Sequence, residues 1–451
     1  MKKLIPKVNM NQNIKIFLWA LSAALGGFLF GFDTAVISGV EQTLQKLWNL
    51  SVVEHGVTVS IALIGTVLGS LIGGIPAEKY GRRTTLLLVA ILYLLSSLGT
   101  AYAPNWSIFL VFRFLGGLGV GVSSVVAPMY ISEIAPAHKR GRLVAMFQFN
   151  VVFGILIAYL SNYLLVDIGE NAWRWMLGVQ AFPSVLFLVT VLVIPESPRW
   201  LILKKGAVDT ARKILATIDA DTAEDIIEAI QNQAKGHSSN SFTNLFKPAY
   251  SKPVMLAVLF AVFNQVSGIN AIIYFAPRIF EMAGLGKDSA LLSSAGIGLI
   301  NLVSTLVGIS LIDKFGRKVL MFWGSLGLIT SLVLVAQAFF SGNIGINVSF
   351  YLFIFIAFFG FSQGAVIWVF ISEIFPNEVR AYGQALGSFT HWILAAIITF
   401  TFPYIAETFG GGITFTFFAS MMILQLLFVW KVMPETKGTS LEGMERAVVL
   451  H

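Results

Sequence analysis

Two charged residues stand inside long apolar stretches of this chain, where charge is costly to bury. Asp33 lies shortly before Gly39 near the end of the first stretch, and Arg113 lies seven residues into the fourth. A carboxylate beside a guanidinium is able to bind and release a proton, because burial favours the neutral acid and a nearby cation favours its charged form. Such residues are functional candidates by default. The alternative is a static ion pair that fixes helix packing.

The composition indicates that the apolar stretches cross a lipid bilayer. The 451 residues are 56% hydrophobic and 12% charged, which is about half the charged share of a soluble domain. Runs of about 20 apolar residues are long enough to span the hydrocarbon core. We predict an all-α membrane protein with twelve spans at 14–37, 57–77, 85–101, 106–131, 143–164, 175–193, 254–280, 290–312, 319–340, 348–371, 382–404 and 413–432.

The positions of Asp33 and Arg113 along their predicted helices permit them to meet. The first and fourth helices run in opposite directions. At about 1.5 Å of rise per residue, both side chains lie on the order of 10 Å below the same surface of the membrane. Equal depth therefore permits an ion pair between two different helices.

Basic residues collect in the short loops on one side of the predicted bundle. That side holds the basic runs at 79–83, 139–142 and 314–318, whereas the opposite loops carry little beyond Lys46, Arg174, Arg278 and Lys287. Loops rich in lysine and arginine face the cytoplasm. Both termini are therefore predicted to be cytoplasmic, in a plasma or inner membrane. The basic residues form no patch, so the net charge of +7 does not indicate a nucleic-acid partner.

Three short signatures occur twice, at a spacing of about 240 residues, which is typical of an internal repeat. Tyr80-Gly-Arg-Arg returns as Phe315-Gly-Arg-Lys, Ser132-Glu-Ile-Ala-Pro as Ser372-Glu-Ile-Phe-Pro, and Pro195-Glu-Ser-Pro as Pro434-Glu-Thr-Lys. We predict two pseudo-symmetric six-helix halves at 1–200 and 253–433, a linker at 201–252 and a cytoplasmic tail at 434–451. Parallel halves of this kind hold a substrate site between them and alternate its access by rocking.

The predicted linker is the one long polar stretch of the chain. Asp221 precedes Glu224 by three residues, ahead of Ile226, Ile227 and Ile230. That pattern predicts a capped amphipathic helix. The linker is either a solvated tether or a segment that packs under the bundle.

Five motifs together resemble the sugar porter family of the major facilitator superfamily. They are GIPAEKYGRR from Gly74, RFLGGLGVG from Arg113, PESPRWL from Pro195, QVSGIN from Gln265 and PETKG from Pro434. The set spans nearly the whole chain. The chain resembles bacterial proton-coupled xylose symporters most, and the glucose facilitators of animals less.

Three positions depart from the pattern of that family. Asn264 precedes Gln265 where two glutamines are usual, Ala365 replaces a proline that kinks helix ten, and His391 stands where glutamine or asparagine is common. Asn264 and His391 fall among the sugar contacts that the resemblance implies. The identity of the sugar therefore does not carry over.

The resemblance implies symport of a monosaccharide, a pentose or a hexose, with a proton. Phe30-Gly-Phe-Asp33 matches the symporters, in which the carboxylate carries the proton, whereas the facilitators hold asparagine there. Asp33 is thereby assigned as the proton site, with Arg113 as its partner. The implied partners are the sugar, the proton and the lipid bilayer, without a cofactor, a metal or an obligate protein partner.

A sugar ring offers several hydroxyls and one flat apolar face, so its site needs amides and an aromatic plate. The positions that resemble the family's sugar ligands are Gln148, Asn264, Gln265, Asn270, Asn301 and Trp368, and the further candidates are Phe30, Tyr274, His391 and Trp392. Interhelical hydrogen bonding or packing is the alternative for each. A helix break at Gly268 would let the amides on either side of it face one cavity.

Charged residues at the inner helix ends are the last candidates. The sequence places Glu133 with Arg140 and Glu373 with Arg380, beside Arg82, Arg83, Asp313 and Arg317. In the family, related charges bridge the halves when the transporter faces outward and separate when it faces inward. We predict that these eight residues form a conformational latch, with anchoring of topology as the alternative.

Three other functions fit parts of the sequence. A passive sugar facilitator shares every feature except Asp33, and counterflow without pH dependence would identify it. A sugar sensor needs a signalling domain, whereas only residues 439–451 follow the last motif. An enzyme is disfavoured, because the five histidines are scattered and no nucleophile or metal-ligand arrangement appears.

Overall fold

The structure is a computed structural model, which describes residues 10–136, 138–235, 242–376 and 379–437. Within these ranges the regular structure is helical throughout. Residues 438–451 of the predicted tail and residues 236–241 of the predicted linker lie outside the described residues.

The helices follow the chain in two sets, separated by the linker. The first set comprises α1 (Met10–Val36), α2 (Glu41–Leu47), α3 (Val52–Ile72), α4 (Gly74–Tyr80), α5 (Arg82–Ala101), α6 (Trp106–Ile134), α7 (Arg140–Leu165), α8 (Ala172–Gly178) and α9 (Ala181–Val193). The short helix α10 (Pro198–Trp200) ends the predicted first half, and the linker holds α11 (Val208–Ile218) and α12 (Ala223–Lys235). The second set comprises α13 (Ser251–Val266), α14 (Ile269–Tyr274), α15 (Ala276–Met282), α16 (Lys287–Phe315), α17 (Arg317–Ser341), α18 (Ile346–Phe359), α19 (Ala365–Glu373) and α20 (Arg380–Lys431).

Eleven helical stretches of the described ranges are long and apolar enough to cross a membrane. The last of them, α20, contains 52 residues, and its backbone is non-helical at Gly410, where φ is 74° and ψ is 169°. A straight helix of that length would exceed twice the thickness of the hydrocarbon core. Gly410 is therefore a turn between two crossings, and the predicted fold of twelve spans in two six-helix halves is confirmed.

Two predicted spans are interrupted rather than continuous. The span at 254–280 is divided into α13, α14 and α15, because Gly268 adopts a φ of 87°, a left-handed conformation that is open to glycine at little cost. A second break follows at Phe275. The span at 348–371 widens into a π-helical turn at Gly360–Gly364, a feature often found at functional sites.

Helices α1 and α7 pack backbone against backbone. A Cβ at Gly31 would overlap the carbonyl oxygen of Val151, and one at Gly154 would overlap that of Phe28. Small residues allow this close approach, which drives helix association where lipid supplies no hydrophobic force. The contact holds α1, which carries Asp33, firmly against α7.

The linker packs under the first half. Ala211 and Leu215 of α11 and Ile227 of α12 are buried in the same apolar core as Ile16 and Ala20 of α1. Burial of apolar side chains stabilises this arrangement. Of the two arrangements that the sequence left open, the described linker residues adopt the packed one.

The two halves are joined at one end of the bundle and separate at the other. We call the end that carries the linker the linker end, and the opposite end the far end. At the far end a single apolar core contains residues of both halves, such as Ile155 and Tyr159 with Ile269 and Tyr274. At the linker end each half has its own core. A cleft of about 870 Å³ opens there between Glu78, Lys204 and Tyr382 among others.

Candidate functional site

Asp33 and Arg113 form a buried ion pair between α1 and α6. Arg113 Nη1 donates to Asp33 Oδ1 at 2.8 Å, and Nη2 donates to the Asp33 carbonyl oxygen at 3.4 Å. Asp33 is 2% exposed and Arg113 is 1% exposed. Arg113 Nε is buried and has no hydrogen-bond partner in the described part of the chain. Because a buried and incompletely satisfied pair adds little to stability, this pair is a functional candidate.

Two further polar side chains lie around this ion pair. Gln180 is buried at the break between α8 and α9 and lies beside Asp33. Tyr274 of the second half is also buried and lies against Thr34, so it belongs to the neighbourhood of the ion pair. Gln180 is missing from the sequence candidates. Its signal was available, since it is an amide inside a predicted apolar span.

Gln265 is the centre of an amide cluster in the second half. Its Nε2 donates to Asn264 Oδ1 at 3.1 Å, and its Oε1 accepts from Asn270 Nδ2 at 2.6 Å. The same Nε2 lies 3.1 Å from the ring nitrogens of His391. The turn at Gly268 brings Asn270 back beside Gln265, which a continuous helix would not do.

An aromatic row extends from this cluster to the first half. The ring of His391 lies 4.9 Å from that of Trp368 and 4.7 Å from that of Trp392, measured between centroids. The ring of Phe30 in α1 lies 5.4 Å from that of Trp392. Amides, which both donate and accept hydrogen bonds, suit a sugar ring with many hydroxyls, and aromatic faces suit its apolar side.

Two predicted ligands are not joined to the amide cluster by hydrogen bonds within the described residues. Asn301 of α16 accepts instead from Thr305 Oγ1, one turn further along the same helix, at 3.4 Å. Gln148 of α7 is half-buried.

Gln363 is a second buried amide that the sequence analysis missed. It is fully buried in the π-helical turn, and its Oε1 has no hydrogen-bond partner among the described residues. Its Nε2 lies 3.4 Å from the sulfur of Met422. A fully buried amide with an unpaired oxygen is a functional candidate. The available signal was a glutamine two residues before Ala365, at a departure from the family pattern.

Comparison with known proteins assigns the chain to a family. The family model described as sugar (and other) transporter matches residues 19–448. The chain belongs to the sugar transporter family. It is 37% identical over 439 residues to the arabinose-proton symporter of Bacillus subtilis (strain 168), covering 96% of this chain and 94% of that protein. It is 35% identical over 473 aligned positions to the D-xylose-proton symporter of Escherichia coli (strain K12), covering 95% of each.

Solved structures agree with the sequence relatives. The inward open conformation of the xylose transporter XylE from E. coli matches with a TM-score of 0.85 at 34% identity, covering 96% of this chain and 100% of that chain. This sugar transporter is therefore an integral membrane protein of the major facilitator fold, and the assignment to transport rather than to enzymatic catalysis is confirmed.

Arg82 is the centre of a charge cluster at the linker end of the transporter's first half. Its Nε donates to Glu133 Oε2 at 3.0 Å, and its Nη2 donates to Glu78 Oε1 at 2.9 Å. Glu133 thus pairs with Arg82, which starts α5 beside α6. The grouping of Glu133 with Arg140 stays a prediction for the outward-facing conformation. In the part of the chain that the structure describes, the side chain of Arg83 bonds to no carboxylate of this cluster; it donates to carbonyl oxygens at the end of α9.

The second half repeats this cluster. Arg317 Nη2 donates to Glu373 Oε1 at 2.7 Å, and its Nη1 donates to Asp313 Oδ1 at 3.1 Å. Glu373 thus pairs with Arg317 here, and its grouping with Arg380 stays a prediction for the outward-facing conformation. Arg380 Nε donates to the carbonyl oxygen of Phe375, and its buried Nη2 has no partner among the described residues.

The third repeated signature contributes a carboxylate to each cluster. Glu196 Oε1 accepts from the backbone N–H of Arg83 at 3.0 Å, and Glu435 accepts from the backbone N–H groups of Arg317 and Lys318 at 2.9 Å each. Carboxylates at these positions cap the N-termini of α5 and α17 and complement the helix dipoles. Neither glutamate is among the site residues predicted from the sequence, although both stand in a repeated signature.

Proposed function

We propose that this transporter moves a monosaccharide, a pentose or a hexose, together with a proton. The observation that carries the proposal is the buried pair of Asp33 and Arg113, because a charge pair inside a membrane span is expensive and is retained for function. The arabinose and xylose symporters to which the chain is similar support the class of sugar and the coupling to protons.

Asp33 is the proton site of this mechanism, and Arg113 controls it. While Arg113 lies at 2.8 Å, its charge favours the ionised carboxylate, whereas its departure would leave burial to favour the protonated acid. Protonation of Asp33 in turn removes the charge that holds Arg113. Loading of the proton is thereby linked to the packing of α1 against α6.

The proposed sugar site is lined by the amide cluster and the aromatic row, which contact each other through His391. Gln265 and its hydrogen-bonded neighbours would exchange contacts with one another for contacts with the hydroxyls, and the tryptophan rings would cover the apolar face of the sugar. The residues assigned to the site are Gln148, Asn264, Gln265, Asn270, Asn301, Trp368, His391, Trp392, Phe30 and Tyr274.

The linker end is the cytoplasmic end on this account, with both termini inside the cell. The basic loops at this end support that orientation. The shared core at the far end and the separate cores at the linker end then describe an inward-facing conformation. Access to the site alternates when the first half, residues 1–200, rocks against the second half, residues 253–433. The linker and the tail lie outside this movement.

The eight latch residues hold the linker end closed in the outward-facing conformation. In the conformation described, the ion pairs at this end join groups of one half or its linker, for instance Arg82 with Glu133 and Arg317 with Glu373. Nη2 of Arg380 has no hydrogen-bond partner among the described residues, which supports a contact of Arg380 in the outward-facing conformation. The latch comprises Arg82, Arg83, Glu133, Arg140, Asp313, Arg317, Glu373 and Arg380.

Removal of a latch contact should shift the population towards the inward-facing state. A contact worth about 1.4 kcal/mol changes the ratio of states tenfold. We expect Arg380→Ala to raise the rate of maleimide labelling at Ile75→Cys, which lines the cleft at the linker end. Arg142→Ala, an exposed basic residue at the same end, is the matched control. Equal labelling of both variants and the parent would reduce these charges to anchors of topology.

The direct test of the proposal uses purified protein in proteoliposomes and a panel of radiolabelled pentoses and hexoses. We expect one or more of these sugars to accumulate when a proton gradient is imposed, and to equilibrate without accumulation when it is not. Transport that never exceeds equilibrium, with the gradient present, would make the protein a passive facilitator.

A further inference from the structure

Four ionisable side chains lie together at the far end of the bundle. We call this group the far-end cluster, and it comprises Glu41, His55, Arg278 and Glu407. Glu41 begins α2 and His55 lies in α3, whereas Arg278 of α15 and Glu407 of α20 belong to the second half. Both residues of the first half are fully buried. Ionisable groups buried in a membrane protein are functional candidates, and the sugar and proton sites proposed above do not use these.

Arg278 joins the two halves through this cluster. Its Nη1 lies 3.3 Å from Glu41 Oε2, and its Nη2 donates to Glu407 Oε1 at 2.7 Å. A neighbouring contact also crosses between the halves, since Gln42 Nε2 donates to Glu281 Oε2 at 3.0 Å. Opening of the far end must break the contact of Arg278 with Glu41 and that of Gln42 with Glu281, because these connect helices of opposite halves. The pair of Arg278 with Glu407 lies within the second half.

The geometry around His55 assigns the position of its proton. Nδ1 of the ring lies 3.3 Å from Arg278 Nη1. A guanidinium only donates hydrogen bonds, so Nδ1 must be the acceptor. The proton of the neutral ring is therefore on Nε2, which lies 2.5 Å from Glu41 Oε2. Neutral His55 thus accepts from Arg278 through Nδ1 and helps to hold Arg278 against the first half. Its Nε2 lies against Glu41 without a hydrogen bond of standard geometry to any described residue.

A second proton on the ring would reverse this contact. It would occupy Nδ1, so that two donors and two positive charges face each other across the gap to Arg278. The charged groups packed around His55 are Glu41 from α2, Arg278 from α15 and, through Arg278, Glu407 from α20, while Glu54 of the same helix is engaged in a capping box. The imidazolium would pair with Glu41 and displace Arg278.

We propose that the far-end cluster is a proton-sensitive lock, with His55 as its switch. Neutral His55 keeps Arg278 in its bridge and the far end closed, whereas protonated His55 releases the bridge and favours opening of the far end. The proposal rests on the alternating access described under the proposed function, and it does not depend on the role of Asp33. An acidic outer medium would then favour the conformation that loads substrate.

The test measures the distance between the halves at the far end by pulsed electron spin resonance on the purified full-length protein. The chain lacks cysteine, so spin labels are placed at Leu47→Cys and Ile346→Cys, both of which are exposed. We expect the long-distance population to rise at least about threefold between about pH 7.5 and about pH 5.5. His55→Gln, which is neutral at both pH values, should remove that rise. Arg278→Ala should show the long distance at both.

Asp33→Asn in the same labelled protein separates the lock from the proton site. The response to pH should persist in it, because the far-end cluster is intact. If Asp33→Asn removes the response and His55→Gln retains it, the lock is excluded.

Glu41→Gln removes the carboxylate of the first half that Arg278 contacts, and therefore tests the bridge even if His55→Gln does not fold. It should raise the long-distance population at neutral pH. Unchanged distances in both Glu41→Gln and Arg278→Ala would overturn the proposal.

Discussion

Asp33→Asn should abolish the accumulation of sugar against its gradient while counterflow continues. The substitution preserves the size of the side chain and an oxygen that accepts from Arg113, but removes the group that binds the proton. A gradient of one pH unit supplies about 1.4 kcal/mol per proton, which sustains a roughly tenfold sugar ratio at one proton per sugar. We expect the parent protein to approach this ratio in proteoliposomes and the variant to remain near equal concentrations.

Asp209→Asn is the matched control for this substitution. Asp209 lies in the linker with its side chain 90% exposed, so its variant should accumulate sugar as the parent does. If Asp33→Asn still concentrates sugar when only a proton gradient is supplied, the proton is carried by another group.

Gln265→Ala should weaken sugar binding roughly 5- to 150-fold, from the loss of about 1–3 kcal/mol per unsatisfied buried polar group. Gln265 contacts Asn264, Asn270 and His391 at once, so its removal also leaves these neighbours without their partner. We expect Gln148→Ala and Asn270→Ala to weaken binding as well. Equilibrium binding of the radiolabelled sugar to the purified protein measures the effect.

Gln425→Ala provides the comparison for a buried glutamine outside the site. Gln425 donates to Ser325 Oγ at 2.8 Å within the second half, and its loss should leave sugar affinity close to that of the parent. Parental affinity in all three of the Gln148, Gln265 and Asn270 variants would place the sugar elsewhere.

The membrane fold could be predicted from the sequence because lipid imposes a simple rule on it. Each crossing needs about 20 apolar residues, and the duplicated signatures divide the crossings into two sets. Even the turn at Gly410 falls between two predicted spans. Interruptions within the helices are harder to predict from the sequence. The break at Gly268 was expected from the glycine. The break at Phe275 and the turn at Gly360–Gly364 depend on packing against neighbouring helices.

The charge pairs at the linker end show where sequence proximity misleads. Glu133 and Arg140 are close along the chain, yet Glu133 bonds to Arg82, which is distant in sequence but adjacent across the packed α5 and α6. Which residues of two packed helices form an ion pair depends on the faces that the helices turn towards each other. The spacing of residues within one segment does not reveal those faces.

The far-end cluster escaped the sequence analysis for a related reason. Arg278 was assigned to a loop, and His55 was counted among scattered histidines, because each stands near the end of an apolar run, where charge is ordinary. Helices of the two halves bring both residues together with Glu41, and bury the histidine and the glutamate completely. Only the packing of the halves reveals their shared position.

On the proposed mechanism, each sugar crosses the membrane together with a proton, and Asp33 carries that proton. Simultaneous recording of sugar uptake and internal pH in proteoliposomes, with no proton gradient imposed at the start, tests it most directly. We predict that addition of the transported sugar acidifies the lumen of vesicles containing the parent protein, and that Asp33→Asn exchanges sugar without any change in pH. Sugar uptake by the parent protein without acidification of the lumen would contradict the claim.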